Sequence, residues 1–145
     1  MIEMVRAANF YETDAMGIVH HSNYVRWMEE FRVYYMKCHG VPFDEMIKRG
    51  ISSPTLMINC EYKNSVRFGE AVKITARMTK YTGVRCVIEY EMRNAETGVI
   101  CAVCKSEHCF TDSDGKIMIL KHKAPDYDEI FRRVVKEENE TETGE

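Results

Sequence analysis

No stretch of this chain stays apolar for the ~18 residues that a membrane-spanning helix requires, and no basic n-region with a short apolar h-region opens it. Those two absences lead to the expectation of a cytoplasmic protein without a membrane span. A basic excess is missing as well: 20 lysines and arginines face 23 aspartates and glutamates, for a net charge of -3. Phosphate backbones are held by clustered positive charge, so a general nucleic-acid role is not expected. Neither an internal repeat nor a low-complexity block interrupts the sequence.

What is present fits one domain. A chain of 145 residues, 45% of them hydrophobic, can bury a single core of ordinary size. The domain is expected to span residues 1–136, and 137–145 to form an acidic tail. Val135 to Glu145 hold five glutamates and almost nothing apolar, a composition that frays in solvent. Six cysteines (Cys38, Cys60, Cys86, Cys101, Cys104, Cys109) lie inside apolar patterns and read as reduced core residues. Cys101-Ala102-Val103-Cys104, with His108 and Cys109 after it, imitates a zinc or redox motif. The residues around it alternate as a strand, however, and an offset of three sends Cys101 and Cys104 to opposite faces.

Periodicity orders the elements. Residues 2–11 alternate weakly as a first strand. Tyr24, Trp27, Met28, Phe31, Tyr34, Tyr35 and Cys38 then recur at three and four residues, with Asn23 placed as N-cap and Gly40 as a stop. The wide aromatic side of this helix of about sixteen residues, ~24 Å long, should lie deep against a sheet. After a short helical turn expected at 43–48 the period becomes two, in runs around 56–63, 72–79, 84–93 and 99–111. Thr82-Gly83 and Glu96-Thr97-Gly98 serve as turns, and Asp114-Gly115 closes a further hairpin onto the apolar run 117–120. Pro125 opens a terminal amphipathic helix with Tyr127, Ile130, Phe131 and Val134 on one side. The sum is an α+β domain in which an antiparallel sheet of five to six strands wraps one long central helix.

The chemistry is concentrated between Tyr11 and Tyr24. A carboxylate, Asp14, ends a strand, Gly17 supplies a turn that favours positive φ, and a helix begins within reach. A carboxylate acts as nucleophile or general base, and the free N–H groups of a helix start can hold an oxyanion at an acyl centre. That pairing points to acyl transfer.

Thr13, Asp14, Gly17, Ile18, Val19 and His20, continued by Asn23-Tyr24-Val25-Arg26-Trp27, resemble the signature of the hotdog-fold thioesterases of the 4-hydroxybenzoyl-CoA thioesterase and YbgC-like family. The later order of elements, to about Phe131, is similar too. Met16 stands where that family usually has a small residue, and His20 where Tyr, Trp or Phe is commoner; both bear on substrate choice more than on chemistry. The resemblance implies a hotdog fold, joined into a homodimer or a dimer of dimers, and hydrolysis of acyl-CoA thioesters to acid and coenzyme A. It implies Asp14 as the attacking carboxylate or base and the backbone amide of His21 as oxyanion donor, with Gly17, His20, Tyr24, Trp27 and Arg67 around the substrate. Lys63, Lys80 and Arg85 join Arg67 as candidates for the coenzyme A phosphates. Glu29 and Glu30, on the long helix, are more simply a solvated edge or an inter-subunit pair than a substitute base.

The adjacent imidazoles of His20 and His21 invite a metal reading, but neighbouring residues rarely chelate one ion and no third ligand is suitably spaced, so neither a metal nor another cofactor is expected. The same fold hosts acyl-carrier-protein thioesterases, hydratases and non-catalytic acyl-thioester binding proteins. The Asp and His pair of the hydratase branch is not seen here.

Overall fold

The computed structural model describes residues 1–143. Five strands, β1 (Glu3–Ala7), β2 (Thr55–Tyr62), β3 (Ala71–Tyr81), β4 (Arg85–Asn94) and β5 (Ile100–Cys109), form one antiparallel sheet in the order β1-β3-β4-β5-β2. Alternation decides which face is buried: Val72, Ile74, Ala76 and Met78 of β3 and Ile88, Tyr90 and Met92 of β4 turn inward. The long helix α1 (Ser22–Cys38) presses Trp27, Phe31 and Tyr35, all without exposed surface, onto that face. Three short or terminal helices complete the domain: α2 (Phe43–Lys48), α3 (Leu120–Lys123) and α4 (Pro125–Thr143). No helix among the described residues is long and apolar enough to cross a membrane.

Several expectations need correction. The first strand stops at Ala7 and a 3-10 turn, Phe10–Glu12, follows, because Glu12 accepts the Asn9 amide and closes a capping box. The run 117–120 adds no strand; one bridge joins Thr111 to Ile117, and the chain then turns into α3. Tyr34 and Cys38 fall on the exposed side of α1, not in the core. Asn23 does not cap α1. It is buried as the second residue of the helix, donating from Nδ2 to the Glu12 carbonyl at 2.8 Å, while His20 Nδ1 accepts the Ser22 amide at 3.2 Å.

The acidic end also behaves differently from a frayed tail. α4 continues through Thr143, and Glu138 and Asn139 reach the backbone of Met78, taking its N–H at 2.8 Å and donating to its carbonyl at 3.0 Å. β1 pairs only with residues 71–75 of β3. Beyond it those side chains of α4 satisfy an edge that would otherwise stay open. Residues 144 and 145, the rest of the expected tail, lie outside the described residues.

Candidate active site

The 13–21 loop is built from short bonds that bend it back on itself. The Asp14 amide donates to the Ile18 carbonyl (2.8 Å), the Gly17 amide to the Asp14 carbonyl (2.9 Å), and bridges pair Thr13 with Val19 and Ile18 with Arg67. Gly17 sits at φ +77°, a left-handed conformation that a side chain would strain. One carboxylate oxygen of Asp14 accepts the Met16 amide at 2.8 Å and leaves the other without an internal bond among the described residues.

The start of α1 is anchored from below by Glu12. Its carbonyl accepts both the His20 amide and Asn23 Nδ2 at 2.8 Å. Its carboxylate, on a residue only 2% exposed, takes Arg6 Nη1 (2.6 Å), the Asn9 amide (2.9 Å) and Trp27 Nε1 (2.8 Å). Burial alone would raise this carboxyl pKa; the bonds from Arg6, Asn9 and Trp27 outweigh it and leave the pKa below its ordinary value. The amides of residues 20 and 22–24 are thereby all engaged: His20 to Glu12, Ser22 to the His20 ring, Asn23 to the His20 carbonyl and Tyr24 to the His21 carbonyl. The His21 amide makes no hydrogen bond among the described residues. It therefore stands as an unclaimed donor at a helix end that carries about half a positive charge.

Asp14, His21 and Tyr24 wall one cavity of about 260 Å³, together with Met16, Val19 and Tyr62. Tyr62 hydrogen-bonds the His21 carbonyl at 3.2 Å and meets Tyr24 edge-on with centroids 5.0 Å apart. Burial pushes the Tyr24 phenol up to about 12, so it stays protonated at neutral pH.

Four of the expected substrate contacts stand elsewhere. Trp27 has no exposed surface and points its N–H at Glu12, so it is a pillar of the loop and not a channel wall. His20 stacks on His21 with centroids 4.1 Å apart, and its ring is occupied by Ser22. Gly17 shapes the turn, and Arg67 lies beside it, its guanidinium 3.5 Å from where a Gly17 Cβ would project, outside the cavity wall. Of the other basic candidates Lys63 lines the cavity. Lys80 and Arg85 do not: Lys80 lies nine residues along β3 from Ala71, ~30 Å by strand rise, and Arg85 pairs with Glu107 at 3.5 Å. Glu30 is engaged by Arg6 at 2.5 Å and Glu29 by Arg32 at 3.2 Å.

A second cavity, about 360 Å³, opens farther along the seam between α1 and β2, with Val25, Met28 and Ile58 on its walls. Its floor is a buried polar chain that spacing in the sequence did not reveal. Tyr90 and Ser106 hydroxyls meet at 2.6 Å, Ser106 meets His108 Nε2 at 2.7 Å, and Thr55 meets His108 Nδ1 at 3.2 Å. Arg32, 4% exposed, faces the same space with its Nε lacking a hydrogen-bond partner among the described residues. Among those residues no three His, Cys, Asp or Glu side chains gather to hold a metal ion.

Comparison with known proteins bears on the family and the fold. Residues 8–135 match the thioesterase-like superfamily. The chain is 33% identical over 128 residues to YneP of Bacillus subtilis, provisionally named an acyl-CoA thioesterase, covering 88% of this chain and 92% of that protein. It is 25% identical over 92 residues to the acyl-CoA thioester hydrolase YbgC of Escherichia coli, covering 63% and 69% of the two chains. The crystal structure of a DHNA-CoA thioesterase from Staphylococcus aureus superposes with a TM-score of 0.90 at 31% identity, covering 99% of this chain and 94% of that one.

Proposed function

Because the chain belongs to the thioesterase-like superfamily and takes the hotdog fold, we propose that it is an acyl-CoA thioesterase, hydrolysing the thioester to the free acid and coenzyme A. One observation carries the assignment of roles: a half-buried carboxylate, Asp14, and the His21 amide, left without a hydrogen bond among the described residues at the start of α1, wall the same cavity. A thioester carbonyl seated there receives the His21 N–H and the field of the helix end, which stabilise the oxyanion as it forms. Asp14 supplies the second half. It either attacks the carbonyl carbon to give a mixed anhydride that water cleaves, or takes a proton from the water that attacks directly. In both routes the acid is released and coenzyme A departs as a thiolate, a leaving group that needs no strong general acid. Carboxylate and amide suffice for this chemistry, so the reading invokes no metal or redox cofactor. The names of YneP and YbgC and the DHNA-CoA thioesterase relative support coenzyme A as the thiol component.

Chromatographic release of coenzyme A from short-chain, long-chain and aromatic acyl-CoA esters tests the reading, since six cysteines would react with a thiol dye. The wild type should turn over at least one class. Asp14→Asn, which keeps volume but removes the nucleophile and base, should lose at least about 10²-fold in kcat with its circular dichroism unchanged. Binding of the esters by both proteins with release by neither would instead make this a non-catalytic acyl-thioester binding protein or direct the search to carrier-protein substrates.

A further inference from the structure

The sequence separates Cys60 from Cys104 by more than forty positions; the sheet makes them direct partners, Cys60 on β2 opposite Cys104 on β5. The kind of pair follows from the ladder. The Lys63 amide donates to the Cys101 carbonyl at 2.8 Å, which makes 63 and 101 a hydrogen-bonded pair. Bonded and non-bonded pairs alternate along antiparallel strands, so three steps along, 60 and 104 form a non-hydrogen-bonded pair, the type whose Cα atoms approach to about 4.5 Å. That separation lies within the ~4.4–6.8 Å range a disulfide spans, and opposed residues project to the same face.

We propose that Cys60 and Cys104 form a peroxide-reactive thiol pair that closes to a cross-strand disulfide. Both are free thiols; Cys60 is half-buried and Cys104 buried. Cys60 is the attacking partner. Its thiol is pulled down to about 7 by the hydrogen bond from Cys104, against burial, with a further bond from Tyr62, whereas Cys60 and burial raise the Cys104 pKa. Cys60, the less buried of the two, is thus the more readily ionised, beside a resolving thiol that keeps its proton, the arrangement that makes cysteines responsive to oxidants.

The co-substrate is a hydroperoxide, ROOH. The Cys60 thiolate attacks its terminal oxygen, forming S–O and breaking O–O, and the alkoxide leaves and takes a proton from solvent to become the alcohol. The Cys104 sulfur then attacks Cys60 sulfenic acid, S–S forms, S–O breaks, and water departs with the Cys104 proton. Two thiols lose two electrons and one peroxide gains them. Cys60 shares a strand face with Tyr62 of the catalytic cavity and Ile58 of the second one, and its sulfur lies 3.5 Å from Met28 Sδ. The bridge therefore forms on the strand face that carries Tyr62 of one cavity and Ile58 of the other.

The test uses the full chain, reduced, freed of reductant and exposed to equimolar and tenfold hydrogen peroxide, then alkylated under denaturing conditions. The expected product has lost about 2 Da, carries two fewer alkylated cysteines and yields a single cross-linked peptide joining Cys60 to Cys104, all reversed by dithiothreitol. Cys104→Ser should leave Cys60 as a sulfenic acid trapped by dimedone, and Cys60→Ser should leave Cys104 alkylatable after treatment. Oxidation of Met28 with both thiols intact, a bridge between other cysteines, or Cys60 passing to sulfinic acid while Cys104 stays alkylatable would each overturn the proposal.

Discussion

Glu12 holds a negative charge inside the protein because Arg6, the Asn9 amide and Trp27 converge on its two oxygens, and its own carbonyl fixes His20 and Asn23. It is a positioning residue: it touches neither cavity but sets where the His21 amide stands. Glu12→Gln replaces one acceptor oxygen by a donor facing donors. The change should cost about 2–4 kcal/mol, short of the full penalty for a broken buried pair because Arg6 keeps Glu30. Displacement of the helix start should lower kcat on the order of tenfold to a hundredfold with a smaller change in KM; a variant that melts early yet keeps its kcat would reduce Glu12 to a purely structural role.

His108 sets a different dependence. Burial first, and the Arg32 charge second, push its pKa down from 6.5 to about 3, so the folded chain holds it neutral. Between those values the unfolded chain binds a proton that the folded chain does not, and stability falls as pH drops through the window. At about 1.4 kcal/mol per unit the loss reaches a few kcal/mol by pH 4. Glu12, Asp128 and Glu138, whose pKa values are lowered, add their own loss only below the ordinary carboxylate range. Urea unfolding at pH 7, 6 and 5 should show the slope in the wild type and its flattening in His108→Gln. Asp14 and Gly17 were legible in the sequence because a motif holds them close together. Glu12 and His108 were not, since their partners arrive from other elements.

At the scale of elements, the periods predicted β3, β4, β5 and the long helix because each buries one face, whereas β1 and β2 alternate in sequence without a buried residue. Where a segment gains its order from a single side chain the pattern was silent. The end of α4 is such a segment: 137–140 read as solvated glutamates, yet Glu138 is half-buried among Tyr35, His39 and Met78. Burial would raise its carboxyl pKa, but His39, Tyr35 and the Met78 amide hold it below the ordinary range. A chain ending at Lys136 leaves the Met78 carbonyl without the Asn139 bond and Tyr35 without its acceptor. At about 1–3 kcal/mol per buried group left unsatisfied, the truncated protein should melt several degrees lower. A melting temperature equal to that of the full chain would show that α4 ends its work at Val134 and Val135.

For the whole molecule, β2 is the longer of the sheet's two edge strands. Its pairs 58/106, 60/104 and 62/102 are of the non-hydrogen-bonded type with β5, so the amides of Ile58, Cys60 and Tyr62 point outward from the sheet edge. Large apolar side chains accompany them: Leu56 is 44%, Ile58 39% and Tyr62 49% exposed. An apolar edge whose amides have no partner among the described residues is a template for another strand, and nothing in β2 blunts it by proline. A second copy of the chain, paired β2 to β2, would satisfy those amides and cover both the edge and the second cavity, which Ile58 and Thr55 border. We therefore expect a homodimer, alone or as half of a tetramer, by light scattering of the purified chain. Proline at 58 removes an outward amide without breaking a bond to β5, and lysine there places a charge on the apolar edge. Ile58→Pro and Ile58→Lys should both shift the protein to monomer mass with native circular dichroism. Dimers that survive both substitutions would place the contact on another face.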